Sequence, residues 1–162
     1  MSDERHEVIV RRAEQADIEG LVACSSALFA EDAGARDPGV DINWPREHGP
    51  QRFASGLADP SRLLLVADRG DGEVVGHLTG TLVEPSAMRP VKVATLVSMY
   101  VRPAYRRDRI GGRLVDEFRS WAKESGAGSI QVTAYASNAE AIRFYERNGF
   151  ASQSVTLETT YP

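Results

Sequence analysis

One stretch of the sequence, an apolar run followed by a basic loop and a helical pattern, constrains the fold more than any other. The run at residues 94–101 predicts a β-strand that stops before Pro103, because proline cannot donate a hydrogen bond to a sheet. After the loop, large apolar residues recur at helical spacing. They are Ile110, Leu114, Phe118 and Trp121. The stretch therefore predicts a strand, a turn and a helix in direct succession.

The start of the predicted helix is suited to binding an anion. The first backbone N–H groups of a helix have no partner within it, and the helix dipole adds partial positive charge there. Gly111 and Gly112 lack a Cβ, so a phosphate can approach the backbone closely. Arginine side chains, which bind phosphate oxygens in forked geometry, surround the turn. They are Arg102, Arg106, Arg107, Arg109 and Arg113. The pattern predicts a phosphate site, and the alternative is a solvated basic turn.

This stretch resembles the acetyl-CoA loop of the GNAT N-acetyltransferase superfamily, whose pattern is Arg/Gln-x-x-Gly-x-Gly/Ala. The matching residues are Arg106, Ile110 and Gly111, after a lead-in formed by Tyr100, Val101, Pro103 and Tyr105. Arg109 stands where the family usually has its first glycine. We expect Arg109 to keep a negative φ and to turn its side chain outward, toward a phosphate.

A second stretch, residues 138–150, resembles another motif of the same superfamily. Asn138 is a good helix N-cap and Gly149 a good C-terminal glycine, which alone indicates a well-capped amphipathic helix. The residues that match the motif are Asn138, Ala141, Phe144, Tyr145, Gly149 and Phe150. With both motifs in the expected order, the chain is identified as a member of the superfamily over nearly its whole length.

The resemblance implies an α/β fold with a mixed, mostly antiparallel sheet of six to seven strands. About four helices flank the sheet, which splays at its central strand, and residues 1–162 form a single domain. Residue patterns predict strands at 8–10, 63–67, 74–83, 94–101 and 130–135, a closing strand at 154–159, and helices after Asp17 and at 52–58. Residues 30–50, rich in glycine, proline and acidic residues, are predicted as a long loop.

Composition excludes several classes of function. A net charge of −4 argues against a general nucleic-acid or membrane-surface binder, so the arginines suit one small polyphosphate instead. Cys24 is the only cysteine, which excludes an internal disulfide. The N-terminus lacks a signal-peptide pattern, and no apolar run approaches the ~20 residues of a membrane span. We therefore expect a cytoplasmic protein with no nucleic-acid or membrane partner.

The resemblance also implies where acetyl-CoA, the cosubstrate, is held. Backbone groups of Met99 and Val101, freed where the strand splays, bind the pantetheine arm and the thioester carbonyl, and residues 106–112 hold the pyrophosphate. The full predicted cofactor set is Met99, Tyr100, Val101, Arg106, Arg107, Asp108, Arg109, Ile110, Gly111, Gly112, Asn138 and Tyr145. Tyr145 is the predicted general acid for the departing thiolate, and no metal is expected.

The general base is left open. Many relatives carry a carboxylate on the central strand, but this chain has Leu96, Val97 and Ser98 there. The candidates are His77, Glu31 and Glu84, a water chain, or an acceptor amine of low pKa.

The acidic loop at 30–50 favours a small amine acceptor over a peptide or lysine. The alternative function is a regulatory module that binds acyl-CoA with little transfer. RNA binding is disfavoured because no aromatic platform accompanies the arginines. Whether the protein forms a homodimer is left open.

Overall fold

A computed structural model of the chain describes residues 7–161 and contains one five-stranded sheet. The strands, in both chain and spatial order, are β1 (Ile9–Arg12), β2 (Arg62–Asp68), β3 (Val74–Val83), β4 (Val93–Val101) and β5 (Ser129–Val132). The helices are α1 (Ile18–Glu31), α2 (Ala33–Arg36), α3 (Trp44–Leu57), α4 (Ile110–Glu124) and α5 (Ala139–Arg147). Neighbouring strands run antiparallel except β4 and β5, which are parallel.

Helices cover both faces of the sheet. The side chains of β2 alternate between two clusters, with Leu63 and Leu65 on the α4 side and Leu64 and Val66 on the α1 and α3 side. All four are buried, as expected of a strand packed on both faces. The molecule therefore has three layers, with the sheet between α4 and the α1–α3 pair.

The central strand β4 contains a bulge at Val97. Pairing with β3 passes from Thr79 opposite Ser98 directly to Gly80 opposite Leu96, so Val97 is an extra residue. Pairing of β4 with the parallel strand β5 ends at Leu96. Within the described part of the chain, residues 97–101 consequently have no strand neighbour on that side, and we call the region beside this unpaired edge of β4 the cleft. This is the splay predicted from the family resemblance.

The fold class and most elements are confirmed, but the predicted loop at 30–50 is wrong. That range contains α2 and the first half of α3, and the predicted helix at 52–58 is the end of α3. Pro45 lies in the first turn of α3, where proline is tolerated, while Pro50 lies inside the helix. The helix continues through Pro50 because it packs closely against α1 at this point. Gly49 is buried, and a Cβ there would lie 3.3 Å from Val22 of α1.

The predicted closing strand at 154–159 is also wrong, and residues 7–161 contain five strands instead of six to seven. Residues 151–161 have no regular secondary structure, and Val155 and Leu157 are 76% and 91% exposed. The alternating pattern indicates strand propensity, but a strand forms only where it pairs with another. The strand predicted at 130–135 likewise ends early, at Val132.

The expectations about a signal peptide and a membrane span concern different parts of the chain. The absence of a signal-peptide pattern concerns residues that lie mostly outside the described range. Within residues 7–161, none of the helices has the length and apolar character to span a bilayer.

Candidate functional site

The turn before α4 contains a left-handed residue. Arg109 has φ 59° and ψ 20°, and it is the only non-glycine residue with positive φ among those described. The expectation of a negative φ is therefore wrong. Its carbonyl accepts the first intrahelical bond from the N–H of Arg113 at 3.1 Å, so the left-handed turn lets the chain enter α4 directly. For a residue with a Cβ, this conformation costs about 1–2 kcal/mol.

The two glycines at the start of α4 differ in their surroundings. A Cβ on Gly111 would lie 3.1 Å from the Phe144 ring, so this glycine allows α5 to pack against α4. A Cβ on Gly112 would meet nothing closer than the side-chain oxygen of Asn148 at 3.9 Å. The backbone N–H groups of residues 110–112 precede the first intrahelical bond and lack helical acceptors. The open side of this turn is therefore at Gly112.

Arg106 is bound to neighbouring groups. Its Nε donates to the Val101 carbonyl at 2.8 Å, its Nη2 donates to Glu31 Oε2 at 2.7 Å, and its guanidinium lies over the Tyr100 ring. The Tyr100 hydroxyl donates to Glu31 Oε1 at 2.9 Å, and burial followed by Glu31 raises the Tyr100 pKa. These two predicted cofactor residues are thus tied to the end of α1, while Arg107, Asp108 and Arg109 are exposed.

Asn138 caps α5 as predicted and also contacts α1. Its side-chain oxygen accepts from the N–H of Ala141 at 3.1 Å, and its amide nitrogen donates to Asp32 Oδ1 at 3.1 Å. Arg36 donates to the Ser137 hydroxyl at 2.9 Å and to Asp32 at 2.7 Å. The acidic end of α1 is therefore fastened to the loop before α5, on the β5 side of the cleft.

Tyr145 lies in an aromatic cluster on α5. Its ring packs edge-on against Phe144 and Phe150, with centroid distances of 5.3 and 5.7 Å. Burial first, and the charge of Asp32 second, raise the pKa of Tyr145 to about 12. The phenol therefore stays protonated at neutral pH, as its predicted role of proton donor requires.

A cavity of about 810 Å³ lies on the face of the sheet opposite α4, between the strands and the α1–α3 pair. Its floor includes Thr79, Val97 and Ser98 of β3 and β4. The sheet also contributes Arg62 of β2 and Gly80 and Thr81 of β3. The remaining lining residues come from α1, α3 and the segments beside α3: Ser25, Phe29, Val40, Asp41, Trp44, Arg52, Phe53 and Asp59. Since Ser98 and Met99 are consecutive on the splayed strand, the cavity and the cleft adjoin the same short segment.

His77 reaches the cavity only through another side chain. It is fully buried, its Nε2 lies 3.1 Å from Ser98 Oγ, and Ser98 Oγ lies 2.6 Å from Thr79 Oγ1. Its Nδ1 has no hydrogen-bond partner among the described residues. Burial lowers the pKa of His77 to about 4.

The other candidate bases lie elsewhere. Glu31 is bound to Tyr100 and Arg106, and the exposed Glu84 lies 3.8 Å from Lys92. Neither carboxylate lines the cavity.

Sequence reasoning missed three charged residues of the cavity, namely Arg52, Asp59 and Arg62. They come from the end of α3, the following turn and the start of β2, and no motif marks them. Of the acidic residues in the predicted loop, only Asp41 lines the cavity.

The bulged, splayed β4 followed by a basic turn into α4 is the arrangement that the family resemblance implies, and comparisons with known proteins agree. A model of the acetyltransferase (GNAT) family matches residues 28–150. The chain therefore belongs to the GNAT acetyltransferase family. No curated protein matches the chain by sequence.

Solved structures show the same fold at low sequence identity. A mutant of the BH1408 protein from Bacillus halodurans has a TM-score of 0.86 and 22% identity, covering 95% of this chain and 99% of that chain. Glucosamine-6-phosphate N-acetyltransferase from Arabidopsis thaliana has a TM-score of 0.72 and 16% identity, covering 96% and 99%. Aminoglycoside N-acetyltransferase AAC(6')-Iy, in complex with CoA, has a TM-score of 0.77 and 13% identity, covering 99% of both chains. These likenesses concern the fold alone.

Proposed function

We propose that this protein transfers an acetyl group from acetyl-CoA to the primary amine of a small acceptor. The observation that carries the proposal is the segment 97–101 of β4, which is unpaired on its β5 side and adjoins both a cleft and a cavity. An amine in the cavity could attack the carbonyl carbon of a thioester held at this segment, and the C–S bond would break with the CoA thiolate leaving on the side of the cleft. The GNAT family match, and a neighbour of the same fold solved with CoA, support acetyl-CoA as the donor.

The turn into α4 fits the pyrophosphate of the cosubstrate. Backbone N–H groups without helical acceptors, open space at Gly112 and the exposed Arg107 and Arg109 together favour a doubly charged anion. We assign the thioester carbonyl to a backbone N–H of Met99 or Val101, because both residues lie on the segment of β4 that is unpaired on its β5 side. Tyr145 donates its proton to the departing thiolate.

His77 is too weak a base to deprotonate the acceptor. An alkylammonium has a pKa of ~10, whereas that of His77 is about 4. Moving a proton between them would cost ~8 kcal/mol, at 1.36 kcal/mol for each pKa unit. We infer that the amine enters as its free base, and that His77 positions Ser98 on the cavity floor.

The alternative is a regulatory module that binds acyl-CoA without transfer. The observation in its favour is the central strand itself, where Leu96, Val97 and Ser98 provide no carboxylate. Turnover separates the two functions.

The first experiment is calorimetric titration of acetyl-CoA into the native protein, Gly112→Asp and Gly112→Ala. Position 112 is chosen because a side chain there meets open space, whereas one at Gly111 would strike Phe144. The native protein should bind in the micromolar range. The carboxylate of Gly112→Asp should weaken binding by about fivefold or more, since two charges ~4 Å apart interact by about 1–4 kcal/mol.

The alanine variant is the matched control. It adds a Cβ without charge and should bind within about threefold of the native protein. Both variants should fold at least as stably as the native chain, because alanine favours helices and aspartate suits a first helical turn. Equal binding by all three proteins would refute the pyrophosphate assignment. Thiol release with a panel of amines then decides between transferase and regulator.

A further inference from the structure

Two arginines from different elements meet at one wall of the cavity. Arg52 lies on α3 and Arg62 is the first residue of β2, and Arg62 Nη1 donates to the backbone carbonyl of Arg52 at 3.2 Å. Burial first, and the charge of Arg52 second, lower the pKa of Arg62. The protein therefore holds two positive charges close together where one is partly withdrawn from water.

Neither charge is neutralised by an ion pair. Among residues 7–161, Arg11, Arg102 and Arg106 each have a carboxylate within 2.8 Å, but no carboxylate forms a salt bridge with Arg52 or Arg62. The nearby Asp59 attracts Arg62, yet its Oδ1 is occupied by the N–H and hydroxyl of Ser61, at 2.9 and 2.7 Å. The guanidinium groups of Arg52 and Arg62 can therefore bind an anion.

The fold leaves room for the Arg62 side chain. A Cβ on the buried Gly56 of α3 would lie 3.0 Å from the guanidinium carbon of Arg62 and 3.1 Å from its Nη1. Any residue other than glycine would push the guanidinium away from α3. The position of Arg62 is thus built into the packing between α3 and β2.

The sheet register gives the position of the arginine pair relative to Ser98 on the cavity floor. Arg62 lies opposite Thr81 on β3, and Ser98 lies opposite Thr79. Thr79 and Thr81 are two residues apart, about 7 Å along the strand, and β2 and β4 flank β3 at two strand spacings, about 10 Å across the sheet. The backbones of Arg62 and Ser98 are thus roughly 12 Å apart, and the long Arg62 side chain can span part of that distance. One small molecule can therefore extend along the cavity floor from the arginines to Ser98.

We propose that the acceptor is an amine that also carries a carboxylate or a phosphate, and that Arg52 and Arg62 bind this anionic group. The inference rests on the proposed transferase function and names its substrate class. Guanidinium groups bind both anions through paired, charge-assisted hydrogen bonds. Phe29, Trp44 and Phe53 line the same cavity and provide apolar contact for the rest of the molecule.

The acidic residues that favoured a purely cationic acceptor are mostly engaged elsewhere. Glu31 bonds to Tyr100 and Arg106, and Asp32 bonds to Arg36 and Asn138. Asp41 does line the cavity, and it can attract the amine of an acceptor that bears both charges. A polyamine, by contrast, would bring further positive charge to the arginine pair.

The test measures kcat/KM by thiol release for two matched pairs of acceptors. The carboxylate pair is 4-aminobutyrate and butylamine, and the phosphate pair is O-phosphoethanolamine and ethanolamine. The native protein should prefer the anionic member of at least one pair by about tenfold or more. The pair with the greater preference identifies the anion. No preference in either pair would overturn the proposal.

Three variants assign the preference to the arginines. Arg52→Gln and Arg62→Gln should each remove most of it by raising KM for the anionic acceptor, with acetyl-CoA binding unchanged. Arg46→Gln, an exposed position on α3 outside the cavity, removes the same charge and should keep the preference. Retention of the preference in both cavity variants would overturn the proposal.

A further measurement separates this inference from the transferase function. If acetyl-CoA binds but no amine is acetylated, the transferase function fails, and the subsite is tested by calorimetric titration alone. 4-Aminobutyrate or O-phosphoethanolamine should bind the native protein at least about tenfold more tightly than Arg62→Gln. Absence of binding to the native protein would overturn the subsite as well.

Discussion

Replacing Arg109 by glycine should stabilise the folded chain, whereas the same replacement at Arg113 should destabilise it. Arg109 has φ 59°, a conformation that costs a residue with a Cβ about 1–2 kcal/mol and costs glycine almost nothing. Glycine makes the unfolded chain more flexible, which offsets about 0.5–1 kcal/mol of the gain. The net effect of Arg109→Gly is a stabilisation of roughly 0.5–1 kcal/mol.

Arg113 supplies the matched control, because it is an exposed helical residue four positions further on. Glycine inside a helix costs about 1 kcal/mol, so Arg113→Gly should lose that amount. The two variants remove the same charge and add the same glycine, yet they should differ by about 1.5–2 kcal/mol.

Thermal unfolding followed by circular dichroism measures this difference. In a domain of this size each kcal/mol shifts Tm by about 2–4 °C, so the two midpoints should be separated by at least about 3 °C, with Arg109→Gly above the native chain. Urea unfolding at one temperature gives the free energies directly. If Arg109→Gly lowers Tm as much as Arg113→Gly does, the left-handed turn is not a source of strain and the reasoning fails.

Three further predictions concern the titrating groups. Burial holds the pKa of His77 at about 4, below its usual 6.5, so the stability it contributes is complete above pH 6.5 and is lost as pH falls toward 4. Urea unfolding should show a loss of up to ~3 kcal/mol over this range that is absent in His77→Gln. Tyr145→Phe should lower kcat by about 10²- to 10⁴-fold, and an unchanged kcat would exclude the phenol as general acid. The pKa of Tyr145 is about 12, so the phenol keeps its proton over the range in which the acceptor amine loses one. The value of kcat/KM should therefore rise with pH as the acceptor amine is deprotonated. Two acceptors with different amine pKa values should shift the profile accordingly, and a shared inflection would point to a protein base instead.

Local chemistry explains what could be predicted from the sequence. The apolar face of α4 and the Asn138 cap each depend on residues close together in the chain, and both are found as predicted. Helix α3 could not be predicted in full, because its first half contains two prolines and owes its formation to contacts with α1. The conformation of Arg109 was also missed, since its side chain gives no sign of a positive φ.

The cavity could not be read from the sequence because its residues share no local pattern. Arg52 and Arg62 are ten residues apart on a helix and a strand, and only the packing of α3 against β2, where Arg62 lies against Gly56, brings both residues to the cavity. The sequence predicts the acidic residues between 30 and 50 in one long loop. In the structure the end of α1 turns Glu31 toward β4 and Asp32 toward the loop before α5, so their shared composition says little about the acceptor.

The bulge at Val97 connects these observations into one arrangement. In a regular strand, Leu96, Ser98 and Tyr100 would share a face, but here Leu96 packs with α4 while Tyr100 packs with α1 and α3. The extra residue allows both halves of β4 to keep their pairing with β3 while the strand turns away from β5. Because that change of face falls between Leu96 and Ser98, the residues that follow present a hydroxyl to the cavity and an unpaired edge to the cleft. A single inserted residue thus brings the cavity and the cleft to the same five residues of backbone, 97–101, which under the proposed function is the geometry that direct transfer between two bound molecules requires.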